Sequence, residues 1–224
     1  MKLDKILEVY DTPSPNWRPQ FTELTPANKQ TVNNRRKSPT HTMIGQGANA
    51  YVGTEDVDNF GDVTRISNAA DPAHIYLLAI AESLPTYLRN NPYLPIIRKV
   101  HQTQRRIDIT LERLIPFDTP SIIENESFIE RVWNKCLTIP FDGPHPIPTR
   151  RSQPIANTFA LFLHESAADG DTTHIKDPRL QQVLLWIHSL HTSNWRTTVD
   201  IHRHNLMWRP NKYGFQLVIT DPLC

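Results

Sequence analysis

Apolar positions along this chain change period from place to place, and each change marks an element. Short apolar runs bounded by Gly, Pro, Asn or Asp predict strands at Met43-Ile44, Ala50–Val52, Asp62–Ile66, Ile96–His101, Ile107–Leu114, Leu206–Arg209 and Phe215–Thr220. Helical spacing predicts four helices. The first starts at Asp71-Pro72, where Asp suits a cap and Pro the first helical position, and runs through Ile75, Leu78 and Glu82 to stop before Pro85. A second covers Pro120–Lys135 and a third Ile155–Ser166. The fourth repeats the Asp-Pro start at Asp177-Pro178, with Leu180, Val183, Leu184, Ile187 and Leu190 as its core stripe.

Two stretches lack either period. Residues 1–42 are rich in Pro, Asn, Thr and charge and read as an extended arm with one short helix near Leu3–Tyr10. Pro140–Pro154 contains five prolines, which predicts no regular element there.

Composition narrows the classes. With 224 residues, 38% apolar and 21% charged, the chain fits one domain or two small lobes around a cleft. A net charge of +1 argues against a dedicated nucleic-acid binder, and Arg35-Arg36-Lys37 reads as a solvated loop. No apolar run approaches the roughly 20 residues of a membrane span, and Met1–Lys5 lacks the apolar core of a signal peptide. Cys136 and Cys224 are expected to be reduced thiols. The expectation is a soluble cytoplasmic protein that does not engage membranes, as a monomer or weak homodimer.

Candidate chemistry gathers in three places. Ile44-Gly45-Gln46-Gly47-Ala48-Asn49-Ala50-Tyr51-Val52 fits a nucleotide-covering loop between two strands, with glycines that let backbone N–H groups approach phosphate. A plain hairpin turn accounts for the same residues, and a following strand disfavours a dinucleotide-binding fold. No lysine lies between Lys37 and Lys99, so the third strand offers Arg65 as a phosphate-gripping cation and the next helix offers Glu82 as its acid.

The third place is Asp200-Ile201-His202-Arg203-His204-Asn205, followed by a hairpin and Ile219-Thr220-Asp221-Pro222. Phosphoryl transfer needs a carboxylate beside the attacking hydroxyl and oxygen ligands for Mg²⁺. Asp200 is assigned the first role, Asn205 and Asp221 the second. His191, His202 and His204 match no zinc module, and His202 reads as a structural hydrogen-bonding residue. A nucleophilic-serine elbow is absent from the sequence.

These residues resemble the early serine/threonine protein kinase of autographiviruses, the short-tailed lytic coliphage group. Asp200-x-His202-x-x-Asn205-Leu206-Met207, the hairpin and Asp221-Pro222 carry the resemblance densely, and Gly45, Gly47, Arg65 and Glu82 follow in the corresponding order over about residues 43–222. The resemblance implies an α+β, protein-kinase-like two-lobed fold, with a small antiparallel β lobe (43–117) and a reduced, mainly helical lobe (118–224). It implies an ATP- and Mg²⁺-dependent phosphotransferase acting on host bacterial proteins in the host cytoplasm. Gly45, Gln46, Gly47, Ala48, Val52 and Arg65 would contact nucleotide, and a hinge over Glu112–Phe117, including Leu114, would meet adenine through its backbone. Arginine replaces the family's strand lysine at position 65, and the family's C-terminal extension has no counterpart here. Two alternatives stay open: a catalytically impaired kinase-like inhibitor of a host or defence protein, and a small-molecule phosphotransferase of the aminoglycoside type.

Overall fold

The computed structural model describes residues 42–46, 50–54, 62–68, 74–103, 106–119, 122, 126–141, 152–194, 197–212 and 214–224. The arm over 1–41 therefore lies outside the described residues, as do Gly47 and Ala48. The fold is α+β, with antiparallel sheets and four α-helices among the described residues.

Five strands form the first sheet: β1 (Thr42–Gln46), β2 (Ala50–Thr54), β3 (Val63–Asn68), β4 (Ile97–Gln102) and β5 (Arg106–Leu111). Their spatial order is β1-β2-β3-β5-β4, with every pairing antiparallel. β3 thus lies at the centre, with Arg65 opposite Val52 on one side and Ile109 on the other. β5 has the clearest two-residue alternation, burying Ile107, Ile109 and Leu111. Helix α1 (His74–Glu82) connects β3 to the far edge of the sheet, and six consecutive residues from His74 to Ala79 are buried. A helix enclosed on all sides has no polar face, which is why its sequence shows little amphipathic contrast.

The second sheet joins the segment after β5 to the C-terminal hairpin. β6 (Ile115–Pro116) pairs with β7 (Leu206–Asn211), which pairs with β8 (Gly214–Ile219). Helices α2 (Glu126–Cys136), α3 (Ser152–Asp169) and α4 (Pro178–Ser193) complete this half. Aromatic rings fill the space between them and the sheet. Phe117 stacks on Trp208 at 4.7 Å and on Phe159 at 5.9 Å, and Trp133 lies 5.8 Å from Phe159. The Trp208 indole N–H donates to the Phe117 carbonyl at 2.9 Å, so its polar edge is satisfied inside the core.

Two boundaries differ from the sequence reading. Helix α3 begins at Ser152 and so includes Pro154, inside the stretch expected to be irregular. Proline is tolerated there because the first-turn N–H groups have no intrahelical partner to lose. The strand expected over Ile107–Leu114 stops at Leu111 and resumes as β6 after a break. No helix among the described residues is long and apolar enough to cross a membrane.

Candidate functional site

Backbone pairing at the end of the chain brings the Asp200 and Asp221 segments together. Val199 bridges Leu223, and the Asp200 N–H donates to the Pro222 carbonyl at 2.7 Å. The β7–β8 hairpin sets Leu206 opposite Ile219, which returns the chain beside Asn205. There the Asn205 carbonyl accepts the Thr220 N–H at 2.9 Å and the Thr220 hydroxyl at 3.1 Å. Asn205 closes a short 3₁₀ turn (Arg203–Asn205), and its side-chain amide donates to the Asp200 carbonyl at 2.6 Å. Asp200, Asn205 and Asp221 therefore sit on two short segments locked to each other. The sequence reading required this convergence.

His202 orders the same loop. Its Nδ1 accepts the His204 N–H at 3.2 Å, and its Nε2 lies 3.2 Å from the Asn205 amide nitrogen. That Nε2 is turned toward the Asp200 carboxylate, 3.6 Å from Oδ2. Arg203 and His204 both reach toward Asp118, each with a nitrogen 3.7 Å from Oδ2. Arg203 Nε also donates to His204 Nε2 at 3.2 Å.

Arg65 approaches from the other half of the molecule. It is buried on β3, 8% exposed, and its guanidinium lies 3.1 Å from Asp221 Oδ2 across 156 positions of sequence. Sequence reasoning paired Arg65 with Glu82. The structure carries Arg65 to Asp221, and Glu82 ends α1 as an exposed residue. Two residues of α1 that sequence reasoning missed border the pair. His74 has its pKa lowered from 6.5 to about 3, first by burial and then by the Arg65 charge. Tyr76 donates its hydroxyl to the Ile219 carbonyl at 3.0 Å, and burial, then the Asp221 charge, raises its pKa well above the ordinary value. Neither had a local signal, since a His and a Tyr on an apolar helix read as core.

The glycine loop and the hinge are described in part. Gly45 and Gln46 end β1, opposite Val52 and Tyr51 of β2. Leu114 is half-buried just before β6. Glu112 carries a structural role that sequence reasoning did not assign to it. Its N–H donates to the Ile96 carbonyl at 3.1 Å, and its carboxylate takes both Arg209 Nε, at 2.7 Å, and Arg209 Nη2. Arg209 also donates to the carbonyls of Pro92 (2.9 Å) and Leu94 (2.8 Å). Glu112 thus fastens the end of β5 to β7 with a nearly buried two-pronged ion pair.

Among the described residues no group of three or more His, Cys, Asp and Glu could by itself hold a metal. The Asp221 carboxylate and the Asn205 amide oxygen, carried on these adjoining segments, are nevertheless of the hard-donor type that Mg²⁺ takes when phosphate and water complete its shell. The Asn205 amide nitrogen is spent on the Asp200 carbonyl, which leaves its oxygen as the remaining side-chain donor. The donor chemistry fits Mg²⁺. Both cysteines are free thiols, Cys136 buried and Cys224 exposed, as the composition predicted. A scan of protein-family models finds no match to the chain, and a search of curated proteins finds none either.

Proposed function

We propose that the chain is a kinase-like phosphotransferase that passes the γ-phosphoryl group of ATP to serine or threonine hydroxyls of proteins. The observation that carries this reading is the meeting of Arg65 with Asp221 beside Asp200 and Asn205, four polar residues from two halves of the chain. The order of parts supports it as well: a glycine-bearing hairpin, a cation on the third strand, a buried helix, a hinge, an Asp–Asn loop, a hairpin and a final Asp. The resemblance to the autographivirus kinase adds the setting, namely a protein-kinase-like two-lobed fold and proteins of a bacterial host as substrates in that host's cytoplasm.

Each residue then has a task. Asp200 accepts a hydrogen bond from the acceptor hydroxyl and takes its proton as the new P–O bond forms and the bond from the γ-phosphorus to the bridging oxygen breaks, leaving ADP. His202 orders the loop that carries Asp200, through its contacts with the His204 N–H and the Asn205 amide. Asn205 and Asp221 would hold Mg²⁺, which when bound neutralises phosphate charge. Arg65 grips phosphate oxygens with its guanidinium fork.

The test is incubation of the protein and a bacterial lysate with labelled ATP and Mg²⁺. Wild type should label proteins, and Asp200→Ala and Asp221→Ala should each reduce labelling roughly 100-fold or more. No label in any protein, with no thermal shift on adding nucleotide, would refute the reading. A second reading, a non-catalytic kinase-like binder, draws on the same Arg65–Asp221 ion pair, since a carboxylate already satisfied by arginine is less ready for metal. Nucleotide binding without label transfer would favour it.

A further inference from the structure

Asp221 is engaged by a guanidinium in the very position where the kinase-like reading needs a divalent cation. Arg65 is not a surface side chain that drifts onto its partner. It leaves the central strand β3, is 8% exposed, and lies 3.1 Å from Asp221 Oδ2. A divalent ion placed against the same carboxylate would face a fixed positive charge at close range in a poorly screened site. Phosphate changes that balance. An anionic phosphate offers the planar guanidinium a partner as good as the carboxylate, and drawing Arg65 onto phosphate takes its positive charge off Asp221.

Resting on the kinase-like reading, we propose that Arg65 guards the metal position: the nucleotide-free protein refuses divalent cations, and metal is taken up only together with the phosphates that draw the guanidinium off Asp221. Binding of metal and nucleotide is then positively coupled, and by linkage each raises the affinity of the other equally. The sequence sets up this device by placing Arg65 where the resembling family has lysine. A guanidinium is less strongly hydrated than an ammonium and so gives up less to rest on a carboxylate, here through one contact at 3.1 Å.

Mn²⁺ serves as the probe, with the free ion followed by electron paramagnetic resonance in titrations of the full chain. Wild type without nucleotide should bind no Mn²⁺ at Asp221 below roughly millimolar concentration. Arg65→Gln should bind at least about ten-fold more tightly, and Arg65→Gln combined with Asp221→Asn should lose that gain. With the β,γ-imido analogue of ATP, wild type should retain Mn²⁺ and nucleotide together. Wild type binding Mn²⁺ alone as tightly as Arg65→Gln overturns the guard, and so does an Arg65→Gln protein that binds none. Should Arg65→Gln fail to fold, wild type decides: Mn²⁺ bound equally well with and without the analogue overturns it. Wild type that retains no nucleotide under any condition sinks the kinase-like reading and the guard together. Nucleotide retained by a protein that already binds Mn²⁺ freely sinks the guard alone.

Discussion

A buried arginine and glutamate stabilise a fold only while both charges remain, because each alone would be a charge stranded away from water. Arg209 and Glu112 are such a pair, and Arg209 further satisfies the carbonyls of Pro92 and Leu94. Arg209→Met should cost about 3–5 kcal/mol in urea unfolding, and adding Glu112→Met should recover part of the loss. A double variant no more stable than the single one would show that the carbonyl bonds, not the ion pair, dominate. His74 makes a second prediction at this scale, and its sign follows from its lowered pKa. The unfolded chain takes a proton near pH 6.5, whereas the folded imidazole stays neutral down to about pH 3. Between those values the unfolded state holds more protons, so stability falls as pH falls, with His74 contributing on the order of 1 kcal/mol per pH unit. Above pH 6.5 it contributes no pH dependence. Urea midpoints from pH 7 to pH 4 should therefore decline less steeply in His74→Gln than in wild type, and parallel slopes would refute the assignment.

Helix α4 shows what a cap contributes. Asp177 accepts the N–H groups of Arg179 (2.9 Å) and Leu180 (3.4 Å) through Oδ1, while Oδ2 takes the Tyr93 hydroxyl at 2.7 Å. Asp177→Ala loses both functions and should cost about 2 kcal/mol or more, whereas Asp177→Ser keeps a cap and should cost roughly half as much. Equal losses would mean that the Tyr93 bond carries the effect alone. This helix was legible because its signal is local: Asp-Pro, then apolar residues at helical spacing. The β7–β8 hairpin was legible for the same reason, as two apolar runs around a polar turn. The partners of Arg65, Glu112 and Arg209 were not. With 24 Lys and Arg facing 23 Asp and Glu, no spacing rule selects a pair 97 or 156 positions apart. The two-residue strand β6 gives no periodicity to read, and it exists because Phe117 and Trp208 hold it against β7. The convergence of Asp200, Asn205 and Asp221 could be read from order alone, but the cation at Asp221 could not.

At the scale of the whole molecule, the two sheets are tied by side chains and backbone together. The Tyr76 ring of α1 lies 5.5 Å from Trp186 of α4, and its hydroxyl reaches the Ile219 carbonyl. The Ile219 N–H in turn donates to the Tyr93 carbonyl at 2.9 Å, and the buried core runs without a break from Val63 to Leu223. Such a core should unfold in one cooperative step. Far-UV circular dichroism follows both halves, while the buried indoles Trp133, Trp186 and Trp208 report on the second. The two signals should give urea midpoints that coincide within about 0.3 M, since a larger gap would resolve separate transitions for a domain of this size. On the kinase-like reading, nucleotide would bridge Arg65 and the Asp221 segment and so bind only when both halves are in place. At about 100 times its Kd it should add about 2.7 kcal/mol and move both signals by the same amount. A shift confined to the fluorescence signal would place the ligand within the second half alone, and the arginine on β3 would then have no part in holding it.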